Sequence, residues 1–90
     1  MKLVPVKQAQ AKLLNAMADK RLRVLTLATF KKDRSVTLRR ATEGWELEEH
    51  GFANATMPLD AGPVGKRLIR EAFRREFPRS NKLYLSETMD

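Results

Sequence analysis

The spacing of apolar residues changes twice along this chain, and these changes constrain the fold more than any other sequence feature. From residue 5 to residue 19 the apolar residues recur every three or four positions, which predicts a helix with one apolar face. From about residue 22 to residue 48 they alternate with polar residues, as they do in strands. The helical spacing returns after residue 60. The apolar residues of the first helix are Val6, Ala9, Leu13, Leu14 and Met17.

Three strand-like segments lie between the two helical segments. In the first, residues 22–30, apolar side chains occur on both faces of the strand near Leu25 and Leu27, which predicts a central strand. Residues 35–40 alternate with Val36 and Leu38 inward, and a third strand follows with Trp45 and Leu47 inward. The turns that join these segments are short and polar, so we expect an antiparallel meander.

A loop over residues 53–60 is expected to lead into a second helix, with Asp60 as its N-cap and Pro63 in its first turn. Pro78 would end this helix after Phe77, and residues 82–87 predict a short last strand. The apolar face of the second helix is Val64, Leu68, Ile69, Ala72, Phe73 and Phe77. The pattern therefore predicts a single α+β domain over residues 1–90, in the order α-β-β-β-α-β, with both helices packed on one face of the sheet.

Composition excludes several classes of protein. The chain of 90 residues has no cysteine, which excludes disulfides and thiolate chemistry and favours a reducing, cytoplasmic location. No apolar run approaches the ~20 residues that span a bilayer, so we expect no membrane partner. The segment before Pro5 is too short for a signal peptide.

Charge is the clearest departure from an average composition. Eighteen Lys and Arg residues against eleven Asp and Glu residues give a net charge of +7. Residues 42–60 carry five acidic and no basic side chains, whereas both flanking segments are basic. An excess of positive charge favours polyanionic partners, and nucleic acid is the first of them.

Two clusters of cations are the candidate contacts with phosphate. One is the turn after the first strand, and the other is an exposed stripe on the second helix, where residues three, four and seven apart share a face. Guanidinium and ammonium groups at these positions suit phosphate oxygens. The candidate nucleic-acid-binding residues are Lys31, Lys32, Arg34, Lys66, Arg67, Arg70 and Arg74.

The other polar and aromatic residues are expected to be structural. Arg40 shares its alternation with Val36 and Leu38, and we expect it to pair with Glu46 or Glu48 across the strands. The aromatic residues fit core positions, including Phe30 and Phe52. Tyr84 is the exception, because it alternates away from Leu83 and Leu85 and is expected on an open sheet face. The aromatic residues expected in the core are Phe30, Trp45, Phe52, Phe73 and Phe77.

No catalytic, metal or cofactor site can be assembled from the sequence. His50 is the only histidine, and the Lys66–Arg67 pair lacks the Ser or Thr that a nucleotide-binding phosphate loop needs after its Lys. We therefore expect a non-enzymatic module that binds nucleic-acid backbones with low sequence specificity. The alternative is a protein-interaction or regulatory subunit that could self-associate, because the acidic strip Glu43, Glu46, Glu48 and Glu49 could bind a basic partner or a second copy.

Overall fold

The computed structural model describes residues 1–42 and 44–89, so the predicted member Glu43 of the acidic strip lies outside the described residues. A 3-10 turn over Ala16–Ala18 extends the first helix. The other elements, in chain order, are β1 (Lys2–Pro5), α1 (Val6–Asn15), β2 (Leu22–Ala28), β3 (Ser35–Ala41), β4 (Gly44–His50), β5 (Ala55–Leu59), α2 (Pro63–Glu76) and β6 (Lys82–Met89).

The six strands form one antiparallel sheet in the order β1-β6-β2-β3-β4-β5. The predicted α+β class, the β2-β3-β4 meander and the central position of β2 are confirmed. The last strand, β6, pairs with β2, with Leu27 opposite Leu85. The last strand therefore enters the sheet beside the first of the three meander strands.

The two strands that the sequence pattern missed, β1 and β5, are the edges of the sheet. Both are short and both contain proline, Pro5 in β1 and Pro58 in β5. Proline lacks a backbone N–H and is tolerated where only one side of a strand is paired. Proline also weakens the local strand signal, so pairing with β6 and β4, not propensity, makes these segments strands.

One cluster of buried apolar side chains fills the space between the sheet and the helices. Ala9 and Leu13 of α1 and Ile69, Ala72 and Phe73 of α2 pack onto it, which confirms most of the two predicted helix faces. Each strand contributes the residues that face the helices, and an irregularity after Leu22 shifts the alternation within β2. The strand residues of the cluster are Val4, Leu22, Leu25, Leu27, Val36, Leu38, Trp45, Leu47, Leu59, Leu83 and Leu85.

The start of α2 differs from the prediction. Its N-cap is Gly62, not Asp60, and Pro63 occupies the first helical turn, where its fixed φ favours helix initiation. Val64, predicted to be buried, is 57% exposed because the first turn extends beyond the edge of the core. The helix ends at Glu76, and Phe77, which precedes Pro78, leaves the helical region at φ −125° and ψ 42°.

Two features of the fold position the candidate site. The face of the sheet opposite the helices, which we call the open face, carries the alternate strand residues such as Thr26, Thr37 and Tyr84. One end of the sheet, where Ser35 pairs with His50, gathers the β2–β3 loop, the β4–β5 loop and the chain that follows α2. We call it the hairpin end.

Candidate nucleic-acid interface

The structure brings some of the seven predicted cations together and separates others. Lys31 and Lys32 are exposed in the β2–β3 loop at the hairpin end, where Arg34 is half-buried. Lys66 and Arg67 lie in the first half of α2, which follows β5 at the opposite end of the sheet. Arg70 and Arg74 are exposed further along the helix. At ~1.5 Å per helical residue, Arg67 and Arg74 are about 10 Å apart along the axis, so the seven residues do not form one compact cluster.

An open pocket at the hairpin end collects three arginines from different parts of the sequence. Arg34 comes from the β2–β3 loop, Arg75 from the last turn of α2, and Arg79 from the chain after the helix. The pocket has a volume of about 460 Å³, and we call it the basic pocket. Its other lining residues are Thr29, Phe52, Glu76, Pro78 and Ser80.

Two of these guanidinium groups are available for a ligand. Within residues 1–42 and 44–89, no hydrogen bond or ion pair engages the side chain of Arg34 or Arg79. The hydroxyl group of Thr29 is already used, because it donates to Asp33 Oδ1 at 2.8 Å and lowers the pKa of that carboxyl group. The basic pocket therefore offers up to ten N–H groups on Arg34 and Arg79, about five on each guanidinium.

The third arginine of the pocket is bound to a buried carboxylate. Arg75 donates from Nε and a terminal nitrogen to the two oxygens of Glu49 at 3.0 and 2.9 Å, and the Glu49 side chain is only 2% exposed. Burial alone would raise the pKa of Glu49, but hydrogen bonds with Arg75 and Glu76 and the Arg75 charge outweigh burial and lower it. The Arg75 side chain remains 38% exposed, so its outer surface still contributes positive charge to the pocket.

A second buried carboxylate shapes the wall of the pocket. Glu76 accepts the backbone N–H groups of Phe52 and Ala53, each at 2.9 Å, and so ties the β4–β5 loop to the end of α2. Gly51, just before these residues, has φ +130°, and a Cβ there would lie 2.6 Å from both Arg34 Cγ and Glu76 Oε1. This close approach keeps the loop against Arg34 and holds Phe52 at the rim.

The predicted core positions of Phe30 and Phe52 are wrong. Phe30 is 71% exposed and Phe52 is 69% exposed, because both lie in loops beyond the strands whose alternation suggested burial. The Phe30 ring stacks on Tyr84 with the ring centroids 6.0 Å apart and the planes 18° from parallel. Lys32, at φ +59°, places Nζ 5.1 Å from the Tyr84 ring centroid. The predicted position of Tyr84 on the open face is confirmed.

The acidic strip of β4 is divided between the two faces of the sheet. Glu46 and Glu48 lie on the open face, where Arg39 contacts them at 3.6 and 2.8 Å, and His50 Nε2 donates to Glu48 at 2.8 Å. The hydrogen bonds that His50 makes with Glu48 and Asn54 raise the pKa of its imidazole. These two carboxylates are therefore partly neutralised within the chain.

The predicted pairing of Arg40 with Glu46 or Glu48 is wrong, although its alternation with Val36 and Leu38 is right. Strand alternation puts Arg40 on the helix side of the sheet and the two glutamates on the open face. Its guanidinium group instead lies 4.5 Å from the Trp45 ring centroid and donates to the carbonyl oxygens of Leu22 and Asp19.

The glycines that open α2 have a packing role. A Cβ on Gly65 would overlap the carbonyl oxygen of Asp60, whereas nothing lies within 4 Å of a Cβ on Gly62. Lys66 and Arg70 line a shallow pocket of about 210 Å³ beside Gly62 and Pro63. Gly65 is therefore required by the close approach of the preceding loop, whatever ligand the two cations meet.

Arg75, Arg79 and Phe52 are not among the candidate binding residues that the sequence predicted. A signal for the basic pocket does exist in the sequence. Arg79 directly follows the helix-ending Pro78, and Arg75 lies four residues before it, so both cations flank the end of one helix. Only the fold brings the hairpin residue Arg34 to the same place.

Within the described residues, no group of three or more His, Asp or Glu side chains is arranged to hold a metal ion. Over the same ranges, none of the helices is both long and apolar enough to cross a bilayer. Comparisons of the chain with protein-family models, with curated proteins and with solved structures found no match in any of the three.

Proposed function

We propose that this protein is a non-enzymatic module that binds the phosphate backbone of nucleic acid through the basic pocket and the cations around it. The observation that carries the proposal is the meeting of Arg34, Arg75 and Arg79 in one open pocket, where two of the three guanidinium groups have no partner in the described part of the chain. Planar guanidinium groups bind phosphate oxygens in pairs, which makes arginine the side chain best suited to this ligand. The net charge of +7 adds long-range attraction for a polyanion.

The predicted cations enter this proposal in two groups. Lys31, Lys32 and Arg74 would extend the contact from the basic pocket along the hairpin end. The other three cations lie in the first and middle turns of α2 and would meet phosphates further along the bound nucleic acid. They are Lys66, Arg67 and Arg70. Contacts of this kind position a protein on nucleic acid but carry little sequence information, so we expect low specificity.

The test measures affinity for single-stranded and duplex DNA and RNA as a function of salt. Arg34→Gln with Arg79→Gln removes two charges from the pocket, and Lys7→Gln with Arg21→Gln, both exposed elsewhere, is a control with the same loss of charge. We expect the slope of log K against log salt to fall by about 2 in the pocket variant, roughly 1 for each lost phosphate contact, and by less in the control. No binding at about 50 mM salt, or equal effects in the two variants, would refute the proposal.

A protein-interaction or regulatory role, with self-association as one form of it, is the alternative. The open face has no covering element among the described residues, which leaves a surface that a second copy could meet. Arg39 and His50 already engage the outward carboxylates of β4, so fewer acidic groups remain for a basic partner. If sedimentation shows a dimer, and if the dimer does not bind nucleic acid, the result would favour this role.

A cytoplasmic location stays a prediction from the absence of cysteine in the sequence.

A further inference from the structure

The open face carries an apolar patch at its hairpin end. Phe30 lies over Tyr84, and Leu3 of β1 is directly opposite Tyr84 in the strand register. Phe30 is 71% exposed and Leu3 is 41% exposed, so the patch is accessible. The π-face of an exposed aromatic ring can accept another flat ring of similar size, and this offset arrangement is favourable.

Cations surround this patch. Lys32 Nζ is 5.1 Å from the Tyr84 ring centroid, and the exposed Lys31 is its neighbour in the loop. Lys82 lies on the same face, opposite Pro5. An apolar peptide would gain nothing from these ammonium groups. A ligand that carries both flat rings and regularly spaced negative charges would use both features.

We propose that Phe30 and Tyr84 form a stacking site for an unpaired base, so that the ligand class is single-stranded nucleic acid. This inference rests on the proposed function, and it adds the choice of single strand over duplex. In a duplex the bases already stack on each other, whereas an unpaired base is free to stack on an aromatic side chain. Lys31 and Lys32 then lie within reach of the phosphates that flank the stacked base. Every base has a π-face, so this site tolerates any sequence.

The experiment compares an oligothymidine with an abasic phosphodiester of the same length and charge. Wild-type protein is expected to bind the oligothymidine roughly tenfold more tightly. Phe30→Ala should remove that difference while leaving the affinity for the abasic probe and its salt slope unchanged. Phe30→Leu, which keeps apolar bulk without a π-face, should behave like Phe30→Ala.

Met89→Ala is the control, because it removes an exposed apolar side chain at the far end of β6, opposite Leu22 and away from both the basic pocket and Tyr84. It should change the affinity for oligothymidine by less than about twofold, against roughly tenfold for Phe30→Ala. An oligonucleotide containing 2-aminopurine reports stacking directly, through quenching that should occur with wild-type protein and not with Phe30→Ala.

The outcomes separate this inference from the proposed function. Equal binding of the two probes, with no effect of Phe30→Ala, would leave phosphate binding intact and overturn the stacking site. Loss of affinity in Met89→Ala instead of Phe30→Ala would also overturn it. If the protein binds duplex more tightly than oligothymidine, and if this binding requires Phe30, the side chain is wedged between base pairs. That result would overturn the choice of single-stranded nucleic acid as the ligand. No binding to any probe would remove the proposed function and the inference together.

Discussion

Replacing Glu49 by glutamine removes the negative charge that Arg75 faces, while the size and shape of the side chain stay almost the same. Breaking a fully buried ion pair from one side costs about 3–5 kcal/mol, because the remaining charge is left without a partner. Here the remaining charge is Arg75, whose side chain is 38% exposed and can recover part of its hydration. We therefore expect the free energy of unfolding to fall by about 2–3 kcal/mol, somewhat below the fully buried case.

The assay is urea denaturation at pH 7, where a loss of this size moves the midpoint of a small domain by about 2 M. Glu48→Gln is the matched control. Glu48 is the neighbouring residue on the same strand, but it lies on the open face and pairs with Arg39, whose side chain is 41% exposed. An exposed ion pair contributes less than about 1 kcal/mol to the free energy of unfolding, so Glu48→Gln should lower that free energy by no more than this amount.

The pH dependence gives an independent check. The pKa of Glu49 lies below its usual value of 4.5, so its contribution to stability is present above that pH and is lost as the pH falls through the folded-state value. The difference between wild type and Glu49→Gln should therefore shrink on acidification. Equal losses in Glu49→Gln and Glu48→Gln at neutral pH, or a difference that grows in acid, would refute the role of the buried pair. The substitution also frees Arg75, so phosphate affinity should rise while stability falls.

Three further predictions concern the local packing, a buried carboxylate and the His50–Glu48 pair. Gly65→Ala should lower the free energy of unfolding, measured by urea denaturation, by about 1–3 kcal/mol, because the added Cβ overlaps the preceding loop. Gly62→Ala should change it by no more than about 0.5 kcal/mol, because nothing lies near the added Cβ. Equal effects of the two substitutions would contradict this packing. Glu76→Gln should lower the free energy of unfolding by about 2 kcal/mol in the same assay, because only one of the two backbone N–H groups that Glu76 accepts would keep a good acceptor. An unchanged urea midpoint would be inconsistent with that role. By NMR, His50 should titrate above 6.5 and move towards 6.5 in Glu48→Gln, and a titration that does not move would rule out the ion pair. Because the pKa of His50 is raised, its contribution to stability is present below pH 6.5 and is lost as the pH rises through the folded-state value.

The helices and the meander could be predicted because their signals are local. Leu13 in α1 and Ile69 in α2 recur at helical spacing, and Leu38 and Leu47 alternate, so short segments already show which face is apolar. The edge strands β1 and β5 could not be predicted in this way. They are four and five residues long and contain proline, and their strand conformation comes from pairing with β6 and β4.

The candidate site shows the same division between local and long-range information. Cations at 31, 32, 34, 66, 67, 70 and 74 are visible as charges in the sequence, but charge alone does not say which of them meet. Arg34 and Arg79 are forty-five positions apart and line one pocket only because β3 begins at the edge of the fold where β4 and α2 end. Phe30 and Phe52 looked like core residues because their apolar character is local, whereas their exposure depends on where the strands stop.

The sequence by itself determined the class of fold, two helices on one face of an antiparallel sheet, because amphipathic periodicity is encoded in neighbouring residues. The tertiary structure alone decided where the charges go. It buried Glu49 against Arg75 and turned Glu46 and Glu48 to the other face. It also placed Arg34 and Arg79 in a shared pocket, where neither side chain has a hydrogen-bond or ion-pair partner among the described residues. The physical reason is that ion pairs and hydrogen bonds need their charged groups within a few ångströms of each other, and distances of that kind between remote residues exist only once the chain is packed.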